Sequence, residues 1–335
     1  MTRCILIVTG RADIHADIVI ERIASKGHRS FRLNLDEFPA AFALDLAFVG
    51  GTWRGTLCYS PTGDELALAE IGAVWTRKQA EFAFESTELT PQEKAYATQE
   101  TQHVLLGILH SLDCCWMSHP VAVRAAQWKG EQLQRAARMG FSVPDSLIAN
   151  RPEPVHRFRA AVGGDIIFKT LASSFLGAEK VAPEDRVTTG LATTRITEEY
   201  LDLLDSVREV PCFFQRHVGK HYELRVTVIG DRVFAAKIHS QDDDRTRTDY
   251  RDFSVGIRYE AVTLPAMIEQ RCRDFVHSYG LAYGALDLIV TPDGDYVFLE
   301  NNPGGQFLFV EQRVPGLRMV DAVADYLIEG ARGER

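Results

Sequence analysis

The sequence predicts a mixed chain: a doubly wound α/β lobe at the N-terminus, followed by α+β lobes built on antiparallel hairpins. Three observations carry this. CILIVTG, ADIHADIVIERIASKG and FRLNL form an apolar run, an amphipathic stretch ending at Gly27 and a second strand, the βα opening of a parallel sheet. YELRVTVIG and RVFAAKIHSQ, joined by Gly230-Asp231, alternate apolar and polar residues as hairpin strands do. ALDLIVTPDGDYVFLE sets two β-branched and aromatic runs around Asp293-Gly294, a strong two-residue turn signal.

The other elements follow in chain order. A hairpin is expected around AFVGGTWRGTLCYS, then the strand IGAVWTRK and a long helix from Pro91 to about Leu112. The Pro-containing loop SHPVAVRAA marks a boundary and leads into one helix, AAQWKGEQLQRAARMG, stopped by Gly140. FSVPDSLIAN and DIIFKTL read as strands, TEEYLDLLDSVRE as a helix, and PCFFQRHV opens the last lobe, which also holds the helix LPAMIEQRCRDFVHSYG. At 335 residues the chain is too long for one small core. The expected lobes are 1–118, 119–211 and 212–335.

Hydrophobic content of 46% and charged content of 25% are those of a globular protein that folds unaided. A net charge of -9 argues against a surface that coats nucleic acid. The six cysteines contain no CxxC pair, so they are expected to be reduced, which favours the cytoplasm. The apolar run in MTRCILIVTG is too brief for a secretory signal, and no window is long enough to span a bilayer. GxGxxG is absent, and GGDIIFKT lacks the GxxxxGK[ST] spacing.

If Asp293-Gly294 centres the last hairpin, Asp287 lies opposite Glu300, and Asn302 follows Glu300 on the same face. Facing carboxylates repel, so such a pair calls for a cation, a shared proton or an arginine. A solvated face with incidental acids is the bland alternative, but Leu286, Leu288, Phe298 and Leu299 make the surroundings apolar. Two carboxylates and an amide oxygen suit a hard cation such as magnesium, which prefers to share its sphere with phosphate oxygens, so the motif implies a nucleotide. Without a Walker loop, separate basic side chains must meet the phosphates. Lys169 lies in an apolar strand where an inward lysine needs an anion. Lys129, taken from its helix alone, reads better as a solvated surface lysine. Arg225 and Arg251 suit a carboxylate or phosphoryl group, or else salt bridges to Glu223 and Asp252. Lys237 is a candidate for the same groove. His217 and His221 straddle Gly219 in a turn and read as polar loop residues; Asp242 to Arg247 read as a solvated loop, with a lid over the site as the alternative.

Lys129 before GFSVPDSLI, Lys169 before a small-residue loop, FFQRHVGKHYELRVTVIGDRVFAAKI and then LENNPGG together resemble an ATP-grasp fold, with a pre-ATP-grasp, a central and a C-terminal domain. SHPVAVRAAQWKGEQ, TDYR and GALDLIVTPDGDYVFLENNPGGQFLFVE are similar, in order, to segments of graspetide synthetases, the ligases related to microviridin macrocyclases. TDYR lacks the tryptophan usual before its arginine, and VWTRK lacks the usual tyrosine and paired arginines. The resemblance implies ATP and Mg2+, with Asp287, Glu300 and Asn302 on the metal, Lys129 and Lys169 on phosphates, and Gln215, His217 and Val218 at the adenine. It also implies a precursor peptide whose leader docks near Phe175 to Thr197, and a homodimer. The implied reaction phosphorylates a precursor Asp or Glu side chain, which a Ser/Thr hydroxyl or a Lys amine then attacks to close an ester or amide ring. For that reaction Arg225 and Arg251 are the residues expected to orient the acceptor carboxylate or the transferred phosphoryl group, with Lys237 facing the same groove. An amino-acid or glutamate ligase and a non-catalytic nucleotide-binding regulator are the competing readings.

Overall fold

The computed structural model describes residues 3–78, 80–172, 191, 193–251 and 254–335. The N-terminal lobe runs β1 (Cys4–Thr9), α1 (Ile14–Ser25), β2 (Ser30–Asn34), β3 (Phe42–Val49), β4 (Thr52–Tyr59), β5 (Asp64–Ala67), β6 (Ile71–Thr76), α2 (Pro91–His110) and β7 (Cys115–Trp116). Its main sheet has the order β2-β1-β6-β7 with parallel pairings, as the βα opening predicts. β3, β4 and β5 form a separate antiparallel sheet. Asp13 caps α1 by accepting from the His15 amide, and α2 opens on a capping box between Thr90 and Glu93 with Pro91 in its first turn.

The helix expected from 125 to 140 begins only at Lys129, as α4 (Lys129–Arg138), and the segment before it, expected as a loop, holds a separate helix, α3 (Pro120–Ala125). The buried Gln132 side chain fits into the break. Its Nε2 donates to Ala126 O at 2.6 Å and to Asn301 O at 2.8 Å, while its Oε1 accepts from the Asn301 amide at 2.7 Å. Those bonds tie α4 to the final hairpin and set Lys129 at the helix start, facing it.

The central lobe contains β8 (Ser146–Ala149), α5 (Pro152–Ala161), β9 (Ile166–Lys169), β10 (Thr194–Arg195), α6 (Glu198–Leu201) and β11 (Cys212–Arg216), with sheet order β10-β9-β11-β8. The helix expected at TEEYLDLLDSVRE is only α6 followed by a 3-10 segment, Leu204–Arg208. The last lobe adds β12 (Tyr222–Ile229), β13 (Arg232–Ile238), β14 (Tyr259–Ala261), α7 (Ala266–His277), β15 (Tyr283–Val290), β16 (Tyr296–Asn302), α8 (Leu308–Arg313) and α9 (Met319–Arg332), with antiparallel order β14-β13-β12-β15-β16.

One face of this sheet carries Leu224, Val226, Leu286, Leu288 and Phe298 into a core with Phe275 and Val276 of α7. The other carries Glu223, Arg225, Asp287 and Glu300. α9 returns to the N-terminal lobe, where Val323, Leu327 and Ala331 share a core with Ile5, Ile7, Val19 and Ile23. Helix and strand approach closely there: a Cβ on Gly330 would lie 2.5 Å from Cys115 Sγ. No helix among the described residues is long and apolar enough to cross a membrane.

Candidate active site

The last hairpin brings its acids together by a route other than the expected one. Thr291 and Asp295 close the loop through Thr291 N to Asp295 O at 3.0 Å, leaving Pro292, Asp293 and Gly294 between them, with Gly294 at φ +88. A three-residue loop alone would place Leu299 opposite Asp287. The register instead shifts between Asp287 and Leu288, so that Leu288 faces Phe298 and Asp287 faces Glu300. The extra residue is Leu299, a β-bulge that turns both Leu299 and Glu300 toward the same side. Asn302 lies opposite Ala285, and its Nδ2 donates to Asp287 Oδ2 at 3.3 Å. The expected convergence of 287, 300 and 302 is present.

Each carboxylate meets a cation. Arg225, opposite Asp287 on the neighbouring strand, donates from Nη1 to both carboxylate oxygens at 2.9 and 3.0 Å and is 6% exposed. Lys129 Nζ lies 3.0 Å from Glu300 Oε2 and donates to Thr170 O at 2.9 Å. Lys169 stands on β9 beside them. Burial pushes its ammonium below the ordinary value, Lys129 and Arg251 add to this, and Glu300 opposes it. Burial also works against ionised Glu300, but Lys169 and Lys129 outweigh it and hold the carboxyl at about 2. Asp287 moves the other way: burial raises it, Glu300 adds to this, and Arg225 opposes both. Near the hairpin Lys129, Lys169, Arg225 and Arg251 face Asp249, Asp287 and Glu300, which leaves one cation in excess and favours an anionic ligand. Two carboxylates and one amide oxygen at one point fit a divalent cation that completes its sphere elsewhere. Among the described residues no three His, Cys, Asp or Glu gather into a metal cage of their own.

The cleft continues between the central sheet and the last sheet and opens to solvent. Its far end is apolar, with Val218, Ile289, Val297 and Leu299 in one cluster and Pro144 and Ile167 across from them. Gln215, 1% exposed, donates from Nε2 to Ser146 Oγ at 3.0 Å, and its Oε1 is buried without a partner. His217 Nδ1 sits 3.0 Å from Asp165 Oδ2, and burial holds the ring below its ordinary pKa. Among the described residues the Val218 amide has no hydrogen-bond acceptor. Gln215, His217 and Val218 therefore line one wall together.

Arg251 also lines the cleft, but its partner is Asp249, reached from Nε at 2.8 Å and from Nη2 at 2.5 Å. Asp252 lies outside the described residues. Lys237 does not reach the groove. It lies opposite Leu224, one residue off the Arg225–Ala236 pair, so strand alternation sends it to the opposite face, where Nζ stands 4.3 Å from the Tyr222 ring and 3.5 Å from Glu260 Oε1. His221 packs beside Tyr222, with ring centroids 5.1 Å apart. The 242–247 loop holds the ion pairs Arg245–Asp243 and Arg247–Asp244. Of the expected leader-docking segment, 175–190 and 192 lie outside the described residues.

A family model described as the MvdD pre-ATP grasp domain matches residues 4–124. Over its whole length the chain is similar to the Chryseobacterium gregarium RiPP-associated ATP-grasp ligase, solved with ADP and a leader and core peptide. The identity is 31%, covering 98% of this chain and 97% of that one, with a TM-score of 0.88. The chain belongs to the RiPP-associated ATP-grasp ligases. The Microcystis aeruginosa macrocyclase MdnC, bound with precursor peptide MdnA, is 29% identical over 97% of this ligase and 99% of its own chain, with a TM-score of 0.84. Human N-acetylaspartylglutamate synthase A is 22% identical over 273 residues, and the ligase spans 66% of that protein's length.

Sequence reasoning missed three cleft residues of this ligase. Lys220 Nζ donates to Glu223 Oε1 at 2.6 Å and to Thr248 O at 3.0 Å, a pair buried in the cleft wall, and Asp249 fixes Arg251. The strand YELRVTVI puts Glu223 two residues before Arg225 and so on the same face, a signal the periodicity contained. The turn after Asn302 is equally constrained. A Cβ on Gly305 would lie 2.7 Å from Ala285 Cβ and 2.8 Å from Arg225 Nη2. Gly305→Ala is expected to displace the guanidinium and cost about 1–3 kcal/mol, lowering the thermal midpoint; an unchanged midpoint would show that the turn has slack.

Proposed function

We propose that this ligase uses ATP and Mg2+ to phosphorylate Asp or Glu side chains of a ribosomal precursor peptide and to close intramolecular ester or amide rings with its Ser/Thr or Lys residues. Asp287, Glu300 and Asn302 would hold the metal, which when bound neutralises phosphate charge and polarises the transferred phosphoryl group. Lys129 and Lys169 meet the phosphates, while the 215–218 wall and the apolar end take the adenine. Arg251, on the cleft lining, orients the acceptor carboxylate, with Asp249 fixing its fork. Arg225 acts from behind by holding Asp287. Carboxylate attack on phosphate brings like charges together, so the chain's contribution is positioning and neutralisation. The acyl phosphate then loses phosphate as the hydroxyl or amine adds.

We also propose the lobe boundaries 1–118, 119–211 and 212–335, leader docking near 175–197, and a cytoplasmic setting, to which six free cysteines are suited. The observation that carries the reading is the buried Asp287–Glu300 pair against Lys129 and Lys169 in the lining of the cleft. The test is mass spectrometry of the peptide encoded beside the gene after incubation with the ligase, ATP and Mg2+. Loss of one water per ring is expected. The likeness to N-acetylaspartylglutamate synthase A favours an amino-acid ligase as the second reading, and ADP release with free amino acids but an unmodified peptide would select it.

A further inference from the structure

The turn after Asn302 is held from two lobes. Arg77 Nη1 donates to Gly304 O at 3.4 Å, Tyr283 Oη to Gly305 O at 2.7 Å, and Arg225 Nη2 to Gln306 O at 3.2 Å. The next two amides, of Phe307 and Leu308, donate to His15 Nε2 at 3.3 and 3.4 Å. His15 comes from α1 in the N-terminal lobe, is 4% exposed, and packs edge-on against Phe307 with centroids 4.9 Å apart.

Both partners of Nε2 are donors, so that nitrogen is unprotonated and the ring proton sits on Nδ1, which faces Asp13 Oδ1 at 3.6 Å. Asp13 is 1% exposed, accepts from Thr9 Oγ1 at 2.7 Å and meets Arg77 Nε at 3.4 Å. Burial pushes His15 below its ordinary pKa against the pull of Asp13, which keeps the ring neutral. An apolar residue of the same volume would pack as well but would strand two buried amides.

We propose that His15 is a positioning residue for the ligase reaction: by accepting the Phe307 and Leu308 amides it sets the 304–306 turn, whose Gln306 carbonyl, accepting from Arg225 Nη2, aims that guanidinium at Asp287. The path runs from the N-terminal lobe to a carboxylate in the last hairpin, so the N-terminal lobe helps to set the geometry of the metal end. The inference rests on the reading of Asp287 given under Proposed function.

The test compares His15→Leu, which fills the space but accepts nothing, with His15→Gln, whose amide oxygen reaches toward the position of Nε2. Two readouts are hydrogen exchange of residues 304–308 and Mn2+ binding in the presence of ADP, followed by electron paramagnetic resonance. His15→Leu is expected to speed exchange at 307 and 308 and to raise the half-saturating Mn2+ concentration roughly tenfold, with His15→Gln restoring most of both. Faster exchange with unchanged Mn2+ binding overturns the proposal, and so does unchanged exchange. If His15→Leu does not fold, His15→Val, smaller and equally unable to accept, takes its place in the same two measurements: faster exchange with weaker Mn2+ binding supports the proposal, and no change in either one overturns it. Failure of the underlying reading is distinct: wild-type protein whose Mn2+ binding is indifferent to Glu300→Gln overturns the metal assignment and this proposal together.

Discussion

Glu300→Gln is expected to lower ATP-dependent peptide modification by on the order of a thousandfold while leaving the fold in place. The amide keeps the volume but removes the charge that Lys129 approaches at 3.0 Å and that faces Lys169. Two cations are then left facing each other across the cleft mouth, so metal-free nucleotide is expected to bind as tightly as before or more tightly. Calorimetry with ADP, with and without Mg2+, separates the two effects: the metal-dependent part of binding disappears and the metal-free part persists. Turnover within tenfold of wild type would remove Glu300 from the metal site. The same substitution has a pH signature. Glu300 is held at about 2 against an ordinary 4.5, so its contribution to stability is present above 4.5 and fades as pH falls toward 2. The stability gap between wild type and Glu300→Gln should close over that interval.

Arg225→Met is expected to be the most destabilising single change in the hairpin region, costing about 3–5 kcal/mol, because it leaves Asp287 buried beside Glu300 without its cation. Arg225 also holds Gln306 O at 3.2 Å, so the turn after Asn302 loosens at the same time. Arg225→Lys keeps the charge but cannot supply Nη1 and Nη2 together, and an intermediate loss is expected. Thermal unfolding checks both. If the two variants unfold at the same temperature, charge alone is not what Arg225 supplies. If Arg225→Met unfolds like wild type, Asp287 has taken up a proton without cost and the ion pair contributes little.

The hairpin shows how far the sequence could be read. Alternation in ALDLIV and YVFLE, with a turn at Asp293-Gly294, placed Asp287 opposite Glu300, and the structure agrees. The agreement comes from two departures that cancel, a three-residue loop and a bulge at Leu299. Loop length and bulges depend on how a strand packs against its neighbours, which residue types alone do not encode. Lys237 shows the opposite outcome. Its strand and the Gly230-Asp231 turn were identified, and that turn already pairs Arg225 with Ala236 and Leu224 with Lys237, so the face of Lys237 was legible in the sequence and was overlooked. The helix around Lys129 shows a third case: the break that aims this lysine is made by Gln132 bonding to Asn301, far along the chain.

Residue order was sufficient for what is local and periodic: the parallel βα opening, the antiparallel last sheet, and the types of side chain able to hold a cation and phosphate. Those follow from alternation, capping and turn chemistry within a few residues. Packing between elements far apart in the chain supplied the rest. It gave Lys129 its direction, Arg225 its fork on Asp287, and His15 its place beneath the turn at residues 304–306. α9, the last helix of the chain, closed the core of the first sheet. Each of these contacts joins residues distant in sequence, where burial makes an unpaired charge or amide costly and so selects one arrangement.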